Sequence, residues 1–153
     1  MTPSTTPAAA LEELLGWRLA VAGRLFRSRA DAHMAARVAV GGQATGLLIR
    51  LLESDGVTQA ELARLQRVEA PSMCRMVDRL EREGLVSRGA SPDDRRAVRV
   101  TLTPAGRAAA REGARAAVAL DDEVFAALDP EERRVLAGLL GRVLDGLGPG
   151  PAG

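Results

Sequence analysis

The 153-residue chain predicts a mostly α protein with a small β-wing, an α+β architecture, and three features carry that expectation. Aliphatic residues recur at the three- and four-residue spacing of amphipathic helices over most of the length. Two short runs with period-two alternation, Leu85–Arg88 and Val98–Leu102, flank the polar loop GASPDDRRA, which is the pattern of a hairpin. Helix start and stop signals punctuate the chain closely, at Thr58, Pro71, Gly84, Thr103-Pro104 and Asp129-Pro130.

Residues 1–8, MTPSTTPA, are rich in Pro, Ser and Thr and are expected to be disordered. From Ala9 to about Arg37 the stripe Leu11, Leu14, Leu15, Leu19, Ala22, Leu25 and Phe26 predicts one long helix. Val38–Gly42 breaks it, and Gln43–Glu53 resumes with Leu47, Leu48, Leu51 and Leu52 before the turn signal Ser54-Asp55-Gly56. Thr58-Gln59-Ala60-Glu61 is a capping box, opening a short helix that ends near Gln66.

Pro71 suits the first turn of the next helix, where its missing N–H would be unpaired anyway. Gly84 supplies a stop after about Glu83. Met73, Met76, Val77 and Leu80 form this helix's inner face, leaving Ser72, Arg75 and Arg79 outward. After the hairpin, Thr103-Pro104 and Asp129-Pro130-Glu131-Glu132 start two further helices, roughly 104–127 and 130–147.

The order is helix, helix, a short extended piece, helix, helix, strand, strand, helix, helix. Two short helices followed by a hairpin make a winged helix-turn-helix, an arrangement suited to reading duplex DNA. The chain divides into a dimerisation and support segment over 9–53, the winged module over 54–103, dimerisation helices over 104–147 and a disordered tail over 148–153. The flanking helices carry more aliphatic surface than one small subunit can bury, which predicts a two-fold homodimer closed by the termini.

Composition narrows the function classes. Hydrophobic residues make up 46% and aromatics 2%, so the core must be aliphatic, with Trp17, Phe26 and Phe125 the aromatic residues. Net charge is +1, and all 21 basic residues are arginine. From Thr58 to Thr101 nine arginines face seven acids, a weak basic excess where DNA would lie. One histidine, no nucleophile–base pair, no phosphate loop and no metal cluster argue against an enzyme, a cofactor or a metal. A single cysteine, Cys74, excludes an internal disulfide. No apolar run approaches the ~18 residues that span a bilayer, and no signal peptide opens the chain, so a cytoplasmic protein with no membrane partner is expected.

The runs VEAPSMCRMVDRLEREGLVSR and DDRRAVRVTLTPAG resemble the MarR family of bacterial transcription regulators, and within it the SlyA-like branch. The resemblance implies a homodimer on pseudo-palindromic double-stranded operator DNA. It implies repression, released by a small, commonly aromatic or phenolic ligand, with half-sites about 10 bp apart. On the recognition helix it implies DNA contacts from Ser72 and Arg75, since an arginine fork can bond guanine O6 and N7 together. Arg79 would contact phosphate or pair with Glu83, and Ala70 and Pro71 would touch a thymine methyl or set helix entry.

In the wing, Asp94 and Arg96 match the family's Asp-x-Arg pattern. Asp94 would brace the loop, and Arg95 or Arg96 would enter the minor groove. Arg88 and Arg99 at the wing's base would contact phosphates. Phe26, His33 and Thr45 are the ligand-pocket candidates. Cys74 is the redox candidate, read first as a semi-buried filler because the chain lacks a second cysteine. Thiol-based sensing, or a dimeric interaction protein that has lost DNA binding, are the alternative readings. The chain departs from its relatives where Gln66-Arg67 replaces an apolar–glycine pair. It departs again where Gly41–Gly46 lacks a bulky aromatic or histidine, which implies a pocket of different shape.

Overall fold

The computed structural model describes residues 11–54, 56–90 and 98–148. The elements are α1 (Leu15–Val38), α2 (Gly42–Glu53), β1 (Val57–Thr58), α3 (Gln59–Gln66), α4 (Ala70–Arg82), β2 (Val86–Ala90), β3 (Val98–Leu102), α5 (Pro104–Val124) and α6 (Pro130–Gly146). The expected disorder of residues 1–8, and of all but Gly148 in the expected tail 148–153, lies outside the described residues.

The first helix is interrupted where apolar spacing alone predicts continuity. Leu11–Glu13 are helical, but Leu14 is extended at ψ 125° and offers no side-chain cap, so α1 starts at Leu15. The Glu12 carbonyl, at the break, accepts from Arg18 Nε at 2.8 Å. At the other end Ala39 takes a left-handed φ of 60°, which turns the chain sharply into α2. Gly41 cannot cap α2 with a side chain. Asp31 Oδ1 does it from α1, accepting the Gly42 N–H at 2.7 Å.

The strands form one antiparallel sheet in the order β1-β3-β2. Val57 pairs with Val100, and Val86 pairs with Leu102. The second strand runs Val86–Ala90 rather than Leu85–Arg88, because Leu85 belongs to the seam with α5. The Leu85 carbonyl accepts the Thr103 N–H at 3.1 Å, and Thr103 Oγ1 both donates to Gly84 O at 2.7 Å and accepts from Gly106 N at 3.0 Å. A Cβ on Gly106 would stand 1.8 Å from that same carbonyl, so only glycine fits there. The seam fixes where α5 leaves the wing.

Leu47, Leu48 and Leu51 of α2 share one core with Leu62, Met73, Val77, Leu80, Val86 and Val100. The support helix α2 therefore contributes to the interior of the winged module. Across the seam between α2 and α5, a Cβ on Gly113 would meet Thr45 Cγ2 at 2.4 Å. Beyond this core the packing thins. α6 has no buried residue, and Leu15, Leu25, Val118 and Leu147 are each at least 60% exposed. No helix among the described residues is long and apolar enough to cross a membrane.

Candidate nucleic-acid interface

α4 is anchored by one face and presents the other. Met73, Val77 and Leu80 are fully buried, and their three- and four-residue spacing sets the rotation of the helix. Pro71, in the first turn, needs no N–H partner. With that rotation fixed, Arg75 and Arg79 are exposed and Ser72 is half-buried. Arg75 Nη2 donates to Ser72 Oγ at 3.0 Å, one helical turn back, which aligns the guanidinium along the helix surface. Arg79 Nε donates to Glu83 Oε1 at 2.8 Å, the ion pair that sequence offered as one of its two roles. Such exposed pairs contribute little and exchange readily with other anions. Ala70 and Pro71 are exposed at the same end.

The wing's base is tied to this helix by Arg88. Its guanidinium donates to Asp78 Oδ1 at 2.5 Å and Glu81 Oε2 at 2.6 Å, both on α4, and its Nε donates to Gln59 Oε1 at 3.3 Å. Its backbone N–H donates to Glu81 Oε1 at 3.1 Å. Burial works against the charged guanidinium, but the hydrogen bonds to Asp78 and Glu81 and the charges of the two carboxylates together outweigh it and hold the pKa above the ordinary arginine value. The sequence expectation of a phosphate contact thus meets a guanidinium each of whose three nitrogens already donates to a neighbour, with its side chain only 22% exposed. Asp78 and Glu81 carried no role in the sequence reading. The signal was there, as two carboxylates three apart on the outward face of a helix that ends just before an arginine-bearing strand.

Arg99 is half-buried on β3 and donates to Gly56 O at 3.1 Å. Asp94, Arg95 and Arg96 lie outside the described residues.

A separate cleft of about 270 Å³ opens between α1, α2 and α5. Phe26, Met34, Ile49 and Leu120 make its walls, and Asp31 and Gln43 supply polar groups. Two of the pocket candidates, Phe26 and Thr45, line it. Thr45 is buried, its hydroxyl donating to Val40 O at 3.5 Å. His33 is not in the lining; its Nε2 sits 3.1 Å from Ala116 O, a bond that ties α1 to α5. Gly42 and Gly46 line the cleft, so its outline follows in part from the small residues of α2. Cys74 is exposed on α4 rather than semi-buried, and its sulfur accepts from Gln59 Nε2 at 3.4 Å. The reason is rotation: burial of Met73 and Val77 turns position 74 outward.

Comparison with known proteins places this arrangement. A profile of the MarR family matches residues 44–98, from within α2 to the start of β3. An uncharacterized helix-turn-helix transcriptional regulator, YdgJ of Bacillus subtilis, is 31% identical over 97 residues, 63% of this chain. The chain spans 59% of the length of the curated relatives it matches. Among solved structures, a probable transcriptional regulator from Pseudomonas aeruginosa is 33% identical at a TM-score of 0.76, covering 87% of this chain and 98% of that one. Sco3205, a MarR family transcriptional regulator from Streptomyces coelicolor solved in complex with DNA, is 30% identical at a TM-score of 0.81, covering 90% of this chain and 92% of its own. These relatives are regulators rather than enzymes. With sequence identity at this level across nearly the whole length of a relative, and the same winged helix between flanking helices, the chain belongs to the MarR family of transcriptional regulators.

Proposed function

We propose that the protein is a cytoplasmic homodimeric repressor that binds a pseudo-palindromic operator and is released by a small aromatic ligand, in the manner of the family's SlyA-like branch. The observation that carries the DNA-binding part is α4. Its buried face fixes its rotation, its outward face carries Ser72, Arg75 and Arg79, and a braced wing stands beside it. Arg75 is the base-reading residue, reaching guanine from the major groove. Arg79 exchanges Glu83 for a phosphate. Arg95 and Arg96 serve the minor groove, with Asp94 bracing their loop. Arg99 contacts backbone phosphate. Arg88 acts through the wing rather than on DNA. That Sco3205 was solved with DNA, and a mutant of Escherichia coli MarR with operator DNA at 25% identity, supports this reading.

The dimer reading rests on the apolar face that α1, α5 and α6 leave open, a groove of about 700 Å³ lined by Leu19, Phe26, Phe125, Leu136 and Leu140. The ligand reading rests on the α1–α2–α5 cleft, whose mostly apolar wall with a few polar groups is the usual composition of a small-molecule site. A ligand there releases DNA only by favouring a spacing of the two heads that the operator does not fit.

A mobility-shift assay on the DNA upstream of the protein's own gene tests the whole reading. Specific binding whose logarithm falls linearly with log salt is expected. A dimer without any specific shift would leave the interaction-protein reading. The exposed Cys74 gives a second reading some footing, and Cys74→Ser separates it. Peroxide-induced release that disappears in this variant would mean thiol sensing, and release that persists would exclude it.

A further inference from the structure

The turn between α3 and α4 holds a residue whose backbone and side chain point to the same task. Arg67, at the C-cap of α3, has a left-handed φ of 53°. Side chains with a Cβ seldom adopt that conformation, and glycine adopts it freely. An arginine here is therefore strained for what its side chain gains. Its Nη1 crosses to α6 and donates to Leu144 O at 2.8 Å and to Gly148 O at 3.5 Å.

Leu144 O is one of the last four carbonyls of α6, which carry the negative end of the helix dipole, and Gly148 lies just beyond the C-cap. α6 has no basic residue of its own in its last turn. Arg67 supplies from another element the cation that this helix end lacks. The neighbouring residue of the same turn touches a different element: Gln66 lays its side-chain amide over Gly46 of α2, with Nε2 3.6 Å from where a Cβ would stand. Because α6 buries nothing within the protomer, few contacts other than the Arg67 bonds fix the reading head against it.

We propose that Arg67 is a positioning residue that clamps the helix-turn-helix to the end of α6, so that the dimer helices set the separation of the two recognition helices. The proposal rests on the dimeric, operator-binding reading given above. Without the clamp each head pivots on the α5 seam, and the dimer accepts operators of several half-site spacings. With it, one spacing is favoured.

Arg67→Gly tests this without harming the fold, since glycine relieves the left-handed backbone while removing the guanidinium. Thermal unfolding of this variant should occur at or above the wild-type temperature. Cys74, exposed on α4 and the sole cysteine, takes a nitroxide label in each protomer, and the dipolar distance between labels reads head separation directly. The wild type should give one narrow distribution, Arg67→Gly a broadened one and Arg67→Lys an intermediate one.

In parallel, unlabelled proteins are tested on operators whose half-sites are moved by one base pair either way. Arg67→Gly should lose about fivefold of the wild type's preference for the natural spacing, the scale of a charge–dipole contact. Equal distance widths and equal spacing preference in the wild type and Arg67→Gly would overturn the clamp while leaving DNA binding intact. A broadened distance with no operator binding by any protein would uphold the clamp and sink the DNA-binding reading. Labels that show no dipolar coupling would mean a monomer, and both would fall.

Discussion

Leu80 in α4 and Leu139 in α6 occupy the same kind of position, an aliphatic residue in a three- and four-residue helical repeat. Leu80 is fully buried and Leu139 is 50% exposed. The contrast holds for the regions around them. In the winged module together with α2, side chains close on one another and the polar groups at the wing's base are matched. In α6, and on the outward face of α1, the same sequence pattern leaves Leu15, Leu25, Val135 and Leu139 exposed within the protomer. A repeating apolar stripe says that a helix will be covered and leaves open by what. The module closes its apolar face within the protomer, while the flanking helices leave much of theirs open.

The sharpest way to break that contrast is at a glycine on each side. Gly106→Ala would drive a methyl group into the Leu85 carbonyl, and relief requires α5 to leave the wing and abandon the Thr103 hydrogen bonds. A stability loss of about 4 kcal/mol in denaturant unfolding is expected, at the high end for a single substitution. Gly138→Ala in α6, where nothing lies within 4 Å, should instead raise protomer stability by roughly 0.5–1 kcal/mol through helix propensity. Comparable losses in both would mean that α6 is packed as tightly as the seam.

Next in size comes the pair of leucines. Leu80→Ala should cost about 3 kcal/mol, the range for emptying a filled core site, whatever the protein concentration. Leu139→Glu should leave protomer secondary structure intact but shift sedimentation toward the monomer, so that the concentration dependence of the wild type's unfolding midpoint is lost. A monomeric wild type, or Leu139→Glu still dimeric, would remove α6 from the interface.

The same contrast decides what could be read from sequence. The capping boxes at Thr58 and Asp129, the stop at Gly84 and the inward face of α4 depend on residues within one turn of each other, so local chemistry exposed them. The Arg88 brace, the Gly106 contact and the Asp31 cap on α2 join residues brought together only by the fold, and each was missed. The break at Leu14 was missed for a different reason. An unbroken apolar stripe carries no information about a backbone dihedral. At the cleft, Phe26 and Thr45 came from the family resemblance and both line it, whereas His33 bonds across to α5 in a way that its sequence neighbours do not announce.

Operator binding separates two arginines that sequence treated alike as DNA contacts. Arg75→Ala should lower discrimination against a changed base at one position per half-site by about 1–3 kcal/mol. Arg88→Ala should weaken all sequences together, about tenfold, because the wing loses its fixed angle to α4. Salt titration distinguishes a brace from a phosphate contact. Loss of one phosphate contact lowers the slope of log affinity against log salt by about 0.9, and a brace should leave it nearly unchanged. A full unit's drop for Arg88→Ala would return it to the phosphate-contacting set.

The smallest effect expected concerns Glu61 and Glu131, each in the first turn of its helix, one in the module and one in α6. The Thr58 backbone N–H, at 2.9 Å, and then the Thr58 hydroxyl, at 2.8 Å, hold the exposed Glu61 carboxyl below 4.5. Glu131 is lowered in the same direction by its hydrogen bond from Arg134. A carboxyl whose folded pKa is depressed stabilises the fold above its ordinary pKa and loses that contribution as pH falls through the lower folded value. Both contributions should therefore be complete at neutral pH and fade from about pH 4.5 downward. Glu61→Gln keeps an oxygen for the Thr58 N–H but cannot titrate. Its small deficit against the wild type at pH 7 should vanish by about pH 3. Salt then tells the two regions apart: 1 M NaCl should erase the Glu131→Gln difference, which rests on a screened surface pair, and spare most of that of Glu61→Gln, which rests on a backbone hydrogen bond. If salt erases both alike, the Glu61 cap is a surface charge effect too, and the module's helix start is no better fixed than that of α6.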